Sequence, residues 1–283
     1  MSHAETRGIA RVDVAVVEGG ALHDGSREVV LEEPLAIRVA GETIATTMRT
    51  PGDDHALALG FLFAEGVIRA RADAGSVYHC GRTDDPRYGS AIEVTPGAGV
   101  SLDVDQLARA ARLGLTSSAC GLCGRDSVDD LRARLPVRSG DDGQAPLSRA
   151  LLVRAPTLLA AHQPAFARTG GLHAACALDQ AGRVLAHAED VGRHNAVDKV
   201  VGRLLLDGRL EAGAERATVL AVSGRASFEI VQKAVMAGFR AVASVSAPSA
   251  LAIETARATG LVLAGFVRGE SLTLYAGRAQ LAP

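Results

Sequence analysis

The hydrophobic pattern begins as short β-type runs. Residues 11–17 read as a first strand. Two β-branched runs, 34–39 and 43–48, flank Ala40-Gly41-Glu42, and the short gap predicts a hairpin. Pro51-Gly52-Asp53-Asp54 then forms a loop in which Asp53 or Asp54 would cap the next helix by accepting from its first free N–H groups. That helix, residues 55–65, carries Leu57, Phe61 and Leu62 at helical spacing and ends at Gly66. Strands are expected over 76–80 and 91–94, and a helix over 105–113 closed by Gly114.

Residues 116–126 break the pattern. They are small, polar and glycine-containing, and they hold Cys120 and Cys123. A short helix over 127–135 follows. Residues 136–148, rich in Pro, Gly and Asp, mark a domain boundary.

Beyond the boundary, strand and helix patterns alternate. The chain predicts a helix over 158–166, a strand over 172–179, a turn at Gln180-Ala181-Gly182 and a strand over 184–188. There follow an amphipathic helix over 195–206, strands over 217–222, 241–245 and 261–266 alternating with helices over 228–238 and 249–259, and an edge strand over 272–275. This is an α/β layer with helices on a mostly parallel sheet. No internal repeat or low-complexity tract is visible.

Composition narrows the function. At 283 residues the chain suits one large or two ordinary domains, and its 48% hydrophobic content supports a sizeable core. Aromatic residues make up 3%, with no Trp, so the core is aliphatic and few rings could stack on bases. A net charge of −2 gives no basic field for a nucleic-acid backbone. No apolar run reaches 18 residues, so no membrane span is expected. The first residues have no signal-peptide character and read as a loose tail. A cytoplasmic protein is expected, and in the cytoplasm a paired cysteine motif more often binds metal or reacts than forms a disulfide.

Five features carry candidate chemistry. The Cys120-Gly121-Leu122-Cys123 run places two thiols together, and Arg125 or the start of a following helix would enrich the thiolate. Structural zinc would need two further ligands, and Cys80 and Cys176 are single and distant. A redox pair of the thioredoxin type would follow a first strand, unlike this one. His187-Ala188-Glu189 matches the H-x-E of zinc deaminases, but no cysteine pair follows it, so no metal is expected. The run from Glu189 to Lys199 is dense in titratable groups at a strand-to-helix junction. It suits either a salt-bridged helix start or an anion site built on Arg193 and His194. Ser223-Gly224-Arg225-Ala226-Ser227 and Ser246-Ala247-Pro248-Ser249 each follow a buried strand and open a helix, where phosphates are held in open α/β sheets. The fifth feature is the run Phe266, Val267, Arg268, Gly269, Glu270 and Ser271 at the end of the last core strand.

Ser118-Ala119-Cys120-Gly121-Leu122-Cys123-Gly124, Gly171-Leu172-His173-Ala174-Ala175, the run from Glu189 to Lys199, Ser223-Gly224-Arg225 and Ser246-Ala247-Pro248-Ser249 together resemble the formate dehydrogenase accessory sulfurtransferase family, FdhD. The resemblance spans nearly the whole chain. It implies a sulfurtransferase that takes persulfide sulfur from a cysteine desulfurase. The sulfur passes to molybdenum bis-molybdopterin guanine dinucleotide, the cofactor of formate dehydrogenase. It further implies Cys120 as the persulfide carrier, Cys123 as its motif partner, and Phe266 to Ser271 as the cofactor-binding stretch. The implied fold has a tail (1–10), a small N-terminal α+β domain (11–115), a cysteine loop and linker (116–148), and a cytidine-deaminase-like three-layer α/β domain without zinc (149–283). A homodimer is implied too. The alternative from another class is a cofactor-binding chaperone that transfers no sulfur.

Overall fold

The computed structural model describes residues 8–81, 88–102, 132–133, 135–138, 145–210 and 216–282. The expected helix over 105–113 and the cysteine loop lie outside them, as does most of the helix expected over 127–135.

The chain opens on a hairpin of two ten-residue strands, β1 (Ile9–Glu18) and β2 (Ala21–Val30). Its turn is Gly19-Gly20, with φ of 59° and 85°. Positive φ at both central positions is what a type I′ turn demands, and glycine supplies it without strain. β1 starts inside the stretch expected as a tail. β2 was not expected, because its sequence mixes charges with Gly25 and most of it faces solvent.

A four-stranded sheet follows: β3 (Glu33–Val39), β4 (Glu42–Arg49), β5 (Ala74–His79) and β6 (Ala91–Pro96), ordered β4-β3-β6-β5. β3 and β6 are parallel; the other pairs are antiparallel. Helix α1 (Asp54–Ala64) covers one face, burying Leu57 and Leu62 with Leu35, Ile37, Ile92 and Val94. Neither aspartate caps α1. Asp53 sits at the N-cap position in a left-handed conformation with no capping bond. Its carboxylate meets Arg203 at 2.5 Å, and Asp54 takes Arg49 in a two-pronged pair at 2.9 and 3.1 Å. Charge-assisted, forked contacts outweigh a single bond to a helix N–H.

The remaining chain builds α2 (Arg149–Ala160), α3 (Pro164–Thr169), β7 (His173–Leu178), β8 (Val184–Asp190), α4 (Arg193–Leu206), β9 (Val219–Val222), α5 (Phe228–Met236), β10 (Ala241–Ser244), α6 (Ala250–Thr259), β11 (Val262–Arg268) and β12 (Ser271–Ala276). The helix expected over 158–166 is instead the end of α2, a break and the start of α3. Pro164 disfavours helical geometry at Gln163, which adopts φ −122°, ψ 54°. Ser148 starts α2 by accepting from Leu151 N at 3.3 Å. The six strands order as β12-β11-β10-β9-β7-β8. β9, β10 and β11 are parallel, while β7–β8, β7–β9 and β11–β12 are antiparallel. The sheet is therefore mixed, not mostly parallel. The tight turns before β8 and β12 leave no room for a crossover, so those strands can only reverse.

Helix α4 joins the two larger sheets. Asn195, Lys199 and Arg203 recur every four residues and form one stripe. Asn195 Nδ2 donates to Met48 O at 2.7 Å and Lys199 Nζ to Thr50 O at 2.9 Å, at the end of edge strand β4. Lys199 also reaches Glu189 O at 3.5 Å, and Arg203 donates to His187 O, both on edge strand β8. The stripe thus occupies carbonyls of both sheets at the seam. Donors from a neighbouring helix in this way blunt sheet edges that would otherwise template aggregation.

The seam is tight because α1 and α4 meet glycine to backbone. A methyl at Gly60 would land on the carbonyl of Asp198, and one at Gly202 on the carbonyl of Ala56. Helix propensity alone favours Gly202→Ala by about 1 kcal/mol. Forcing the helices apart costs about 1–3 kcal/mol or more and also lengthens the seam bonds. Gly202→Ala is expected to lower the urea midpoint. An unchanged or raised midpoint would show that the helices separate freely.

Candidate functional site

Five loops converge at one end of the six-stranded sheet. β9, β10 and β11 point their carboxyl ends there. β7 begins there and β8 ends there, with His173 opposite Asp190. The chain segments brought together are those around His173, Gly192 to His194, Ser223 to Ser227, Val245 to Ser249, and Phe266 to Glu270. Ligands in open α/β sheets bind in such a crevice at the carboxyl ends.

The loops are braced by short bonds. Ser223 Oγ accepts from Ala174 N at 2.9 Å, and Ser244 Oγ donates to Gly224 O at 2.7 Å. Phe266 N donates to Ser246 O at 3.2 Å, tying β11 to the β10 loop. Ser249 is spent as the cap of α6, accepting from Ala252 N at 3.2 Å. Gly224 lies against His173, so that a Cβ there would sit 3.2 Å from the ring Nδ1.

Charge at this end is positive. Arg225 is exposed. Arg193 Nε is buried and has no hydrogen-bond partner among the described residues, a costly state for a guanidinium. His194 Nε2 lies 3.1 Å from Ser227 Oγ and 2.7 Å from Glu229 Oε2. The hydrogen bond from His194 holds the Glu229 carboxyl below its ordinary range. Burial keeps His173 less basic than a free histidine, and the neighbouring Arg193 and His194 push the same way. Arg193, His194 and Arg225 thus share this end of the sheet, with His194 paired to Glu229 and His173 held towards its neutral form.

The charged run from Glu189 to Lys199 divides by task. Glu189 accepts from Ala165 N and Phe166 N at 3.0 and 2.7 Å, closing the start of α3. Asp190 is fully buried and meets Lys199 at 2.7 Å. Asp190 also accepts from Thr50 N, Gly192 N and Asn195 Nδ2. Asp198 pairs with Lys233 at 2.7 and 3.0 Å. Burial lifts the Asp198 carboxyl to about 6 despite the pull of Lys233. These contacts fit the salt-bridged helix start, while Arg193 and His194 lie at the end of the sheet where the loops converge.

The H-x-E residues also have structural tasks. The His187 ring stacks on His162 with centroids 4.5 Å apart, and Glu189 serves α3. Cys176 is buried in the sheet, where desolvation pushes its thiol up to about 12, far from a reactive value. Cys80 is half-buried at the end of β5. Cys120 and Cys123 lie outside the described residues. Among the described residues no group of three His, Cys, Asp or Glu is placed to hold a metal.

The run Phe266 to Ser271 forms the end of β11 and its turn into β12. Val267 is core, packed in the cluster with Cys176 and Leu178. Phe266 is exposed at φ 50°, an uncommon conformation for a bulky residue, at a bulge in the β11–β12 ladder. Arg268, Gly269, Glu270 and Ser271 form the exposed turn, in which Ser271 Oγ donates to Arg268 O at 3.1 Å. Ser227, Glu229 and Ser244 were not singled out from sequence as individual side chains. No local spacing links Glu229 to a histidine 35 residues before it.

The model of the FdhD/NarQ family matches residues 30–282. The chain belongs to the FdhD/NarQ family. Among its relatives is the sulfur carrier protein FdhD of Anaeromyxobacter dehalogenans (strain 2CP-C), 52% identical over 267 residues, covering 93% of this chain and 90% of the relative. The sulfur carrier protein FdhD of Streptomyces avermitilis is 45% identical over 274 residues, covering 96% and 95%. A crystal structure from Desulfotalea psychrophila, described as a formate dehydrogenase accessory protein, superposes with a TM-score of 0.73. It shares 21% identity and covers 97% of this chain and 100% of its own. That match shows a shared mixed α/β fold with several sheets.

The His162–His187 stack generates a pH prediction. Burial first, then Arg203 and His162, holds His187 below the free value of 6.5. The unfolded chain therefore takes up this proton at a higher pH than the native protein. Its contribution to stability is intact above 6.5 and is lost as pH falls toward the depressed native value. Urea midpoints measured between pH 7.5 and 5.5 should fall less steeply in His187→Gln than in the parent. Parallel slopes would show that this ring is not held neutral by the fold.

Proposed function

We propose that this protein is a sulfurtransferase serving formate dehydrogenase, carrying sulfur as a persulfide on Cys120. In the loading step the Cys120 thiolate attacks the terminal sulfur of a cysteine desulfurase persulfide. The donor's S–S bond breaks, a new S–S bond forms on Cys120, and the desulfurase cysteine leaves as thiolate. The acceptor is molybdenum bis-molybdopterin guanine dinucleotide, bound as substrate. Cys123 is the neighbouring thiol. The observation that supports this reading is the convergence of four of the family motif segments with the Phe266–Glu270 stretch at one end of the sheet, in a chain about half identical to named sulfur carriers.

The crevice suits a guanine dinucleotide end. A diphosphate needs N–H donors from loops that open helices, together with forked cations. The Ser223 and Ser246 loops, Arg225 and Arg193 Nε, which has no partner among the described residues, would supply them. Phe266, Arg268, Gly269, Glu270 and Ser271 would border the ligand, with Val267 beneath as support. When bound, the cofactor supplies the molybdenum centre that takes the sulfur; this chain's residues hold and orient it.

The finer fold reading goes with this proposal. Residues 11–115 would form the small α+β domain, 116–148 the cysteine loop and linker, and 149–283 a deaminase-like layer. In that layer His187 and Glu189 have passed from metal chemistry to packing and capping. A cytoplasmic homodimer meeting a desulfurase and a formate dehydrogenase completes the proposal.

Mass spectrometry after incubation with a cysteine desulfurase and cysteine should show an adduct of about 32 Da, one sulfur atom, on Cys120 and none in Cys120→Ala. An adduct indifferent to that change rejects the carrier role. If Cys120→Ala still supports active formate dehydrogenase, the protein is a cofactor-binding chaperone instead. Titration with GDP separately tests the crevice. Arg225→Ala should weaken binding roughly 10-fold or more, since a charged hydrogen bond contributes about 1.5–3 kcal/mol. Unchanged affinity would remove Arg225 from the site.

A further inference from the structure

The β1–β2 hairpin forms a sheet of its own. A two-stranded ribbon is marginally stable in water without packing or a further strand. Its base is anchored: Gly8 packs against Thr50 and Pro51, Glu28 takes Arg168 at 2.6 and 2.8 Å, and Val30 lies against Gly171. The outer half has no such anchor among the described residues. At its tip the cross-strand pair Val17 and Leu22 is 67% and 72% exposed.

The two edges of the ribbon differ. The edge of β2 faces α3 at its base and presents Asp24 and Glu28, so a second β2 would meet like charge. The edge of β1 is open. The two-residue turn makes Glu18 and Ala21 a hydrogen-bonded pair. Even-numbered residues of β1 therefore bond to β2, and Ile9, Arg11, Asp13, Ala15 and Val17 aim their N–H and C=O groups outward. At β4 and β8 the corresponding groups are taken by Asn195, Lys199 and Arg203. No described residue does this for β1.

We propose that the open edge of β1 pairs antiparallel with the β1 edge of a second copy of this chain, about a two-fold axis at Val12. Charge selects the register. An axis at residue 11 sets Arg11 on Arg11, and one at residue 13 sets Asp13 on Asp13. An axis at residue 14 leaves both charges facing apolar residues. An axis at residue 12 sets Arg11 of each copy on Asp13 of the other, twice over. Arg11 bonds Ser26 through Nε at 2.6 Å, which leaves its terminal nitrogens for the partner. The same register stacks Val12 on Val12 and Ala10 on Val14 across the axis, on the valine face of the ribbon. The result is a four-stranded sheet, and the contact is isologous, as a two-fold dimer requires.

This inference names the edge that a two-copy protein would use and rests on that part of the proposed function alone; its failure leaves the Cys120 chemistry untouched. Sedimentation equilibrium of the full chain should give twice the 29.1 kDa chain mass. Arg11→Asp should dissociate it at the same concentration, and Arg11→Asp combined with Asp13→Arg should restore it. Val12 faces its own copy in a non-hydrogen-bonded pair, at a Cα separation of about 4.5 Å that a disulfide can span. Val12→Cys on a Cys120→Ser, Cys123→Ser background should therefore cross-link under mild oxidation, and Val17→Cys should not. A monomeric parent, a dimer that survives Arg11→Asp, a double variant that stays monomeric, or no cross-link at residue 12 would each overturn the proposal.

Discussion

The fully buried pair of Asp190 and Lys199 is the contact on which the rest of the molecule depends. It looks expensive, since desolvating two charges can cost more than their attraction returns. Its worth lies in what surrounds it. The edges of two sheets meet at this point, and their backbone groups must find partners or remain buried and unpaired. Lys199 donates to Thr50 O and reaches Glu189 O, while Asp190 accepts from Thr50 N and Gly192 N. Removing the lysine alone would leave an uncompensated buried carboxylate, a loss of about 3–5 kcal/mol. A hydrophobic replacement of both partners would spare the charges but strand the backbone.

Other features of the seam follow from that need. α4 must lie close enough for a side chain to reach both sheets, which is why Gly60 and Gly202 let α1 approach backbone to backbone. The stripe Asn195, Lys199 and Arg203 must repeat at helical spacing, which fixes the rotation of α4 about its axis. With the rotation fixed, the first turn of the helix delivers Arg193 and His194 to the end of the six-stranded sheet. Glu229 and Ser227 then hold the His194 ring. The placement of the cationic crevice is thus a consequence of how the two sheets are joined.

Sequence revealed what is local. The amphipathic pattern found α1, α4 and most strands of the larger sheets, and it placed the Ser223 and Ser246 loops at the carboxyl ends of buried strands. What it missed depends on distant partners. β2 carries His23, Asp24, Gly25 and Arg27, too polar to read as a strand, and it is one only because β1 pairs with it. The mixed strand directions follow from turn lengths that alternation does not encode. Asp53 and Asp54 looked like caps because a capping aspartate and an ion-paired one have the same local sequence, and Arg49 and Arg203 decide between them. The density of charge after Glu189 suggested a site, but the partners that separate structure from chemistry are main-chain carbonyls some 150 positions earlier.

That separation clarifies what the long charged motif is for. Most of its members are taken up by structural contacts: Glu189 at the start of α3, Asp190 and Lys199 at the seam, Asn195 at the β4 carbonyl, Asp198 at the ammonium of Lys233. Substituting Asp190, Asn195 or Lys199 would loosen the join whether or not the residue ever touches a ligand. Arg193 is different. Among the described residues its Nε is buried without a partner, although a guanidinium could have been packed to bond a neighbouring carbonyl as Arg203 does. Keeping a buried donor unsatisfied costs about 1–3 kcal/mol in the free protein. In the proposed cofactor complex an entering anion would give this arginine, beside a histidine kept towards neutrality, the bonds it lacks, and part of the cost of building the crevice would be recovered on binding.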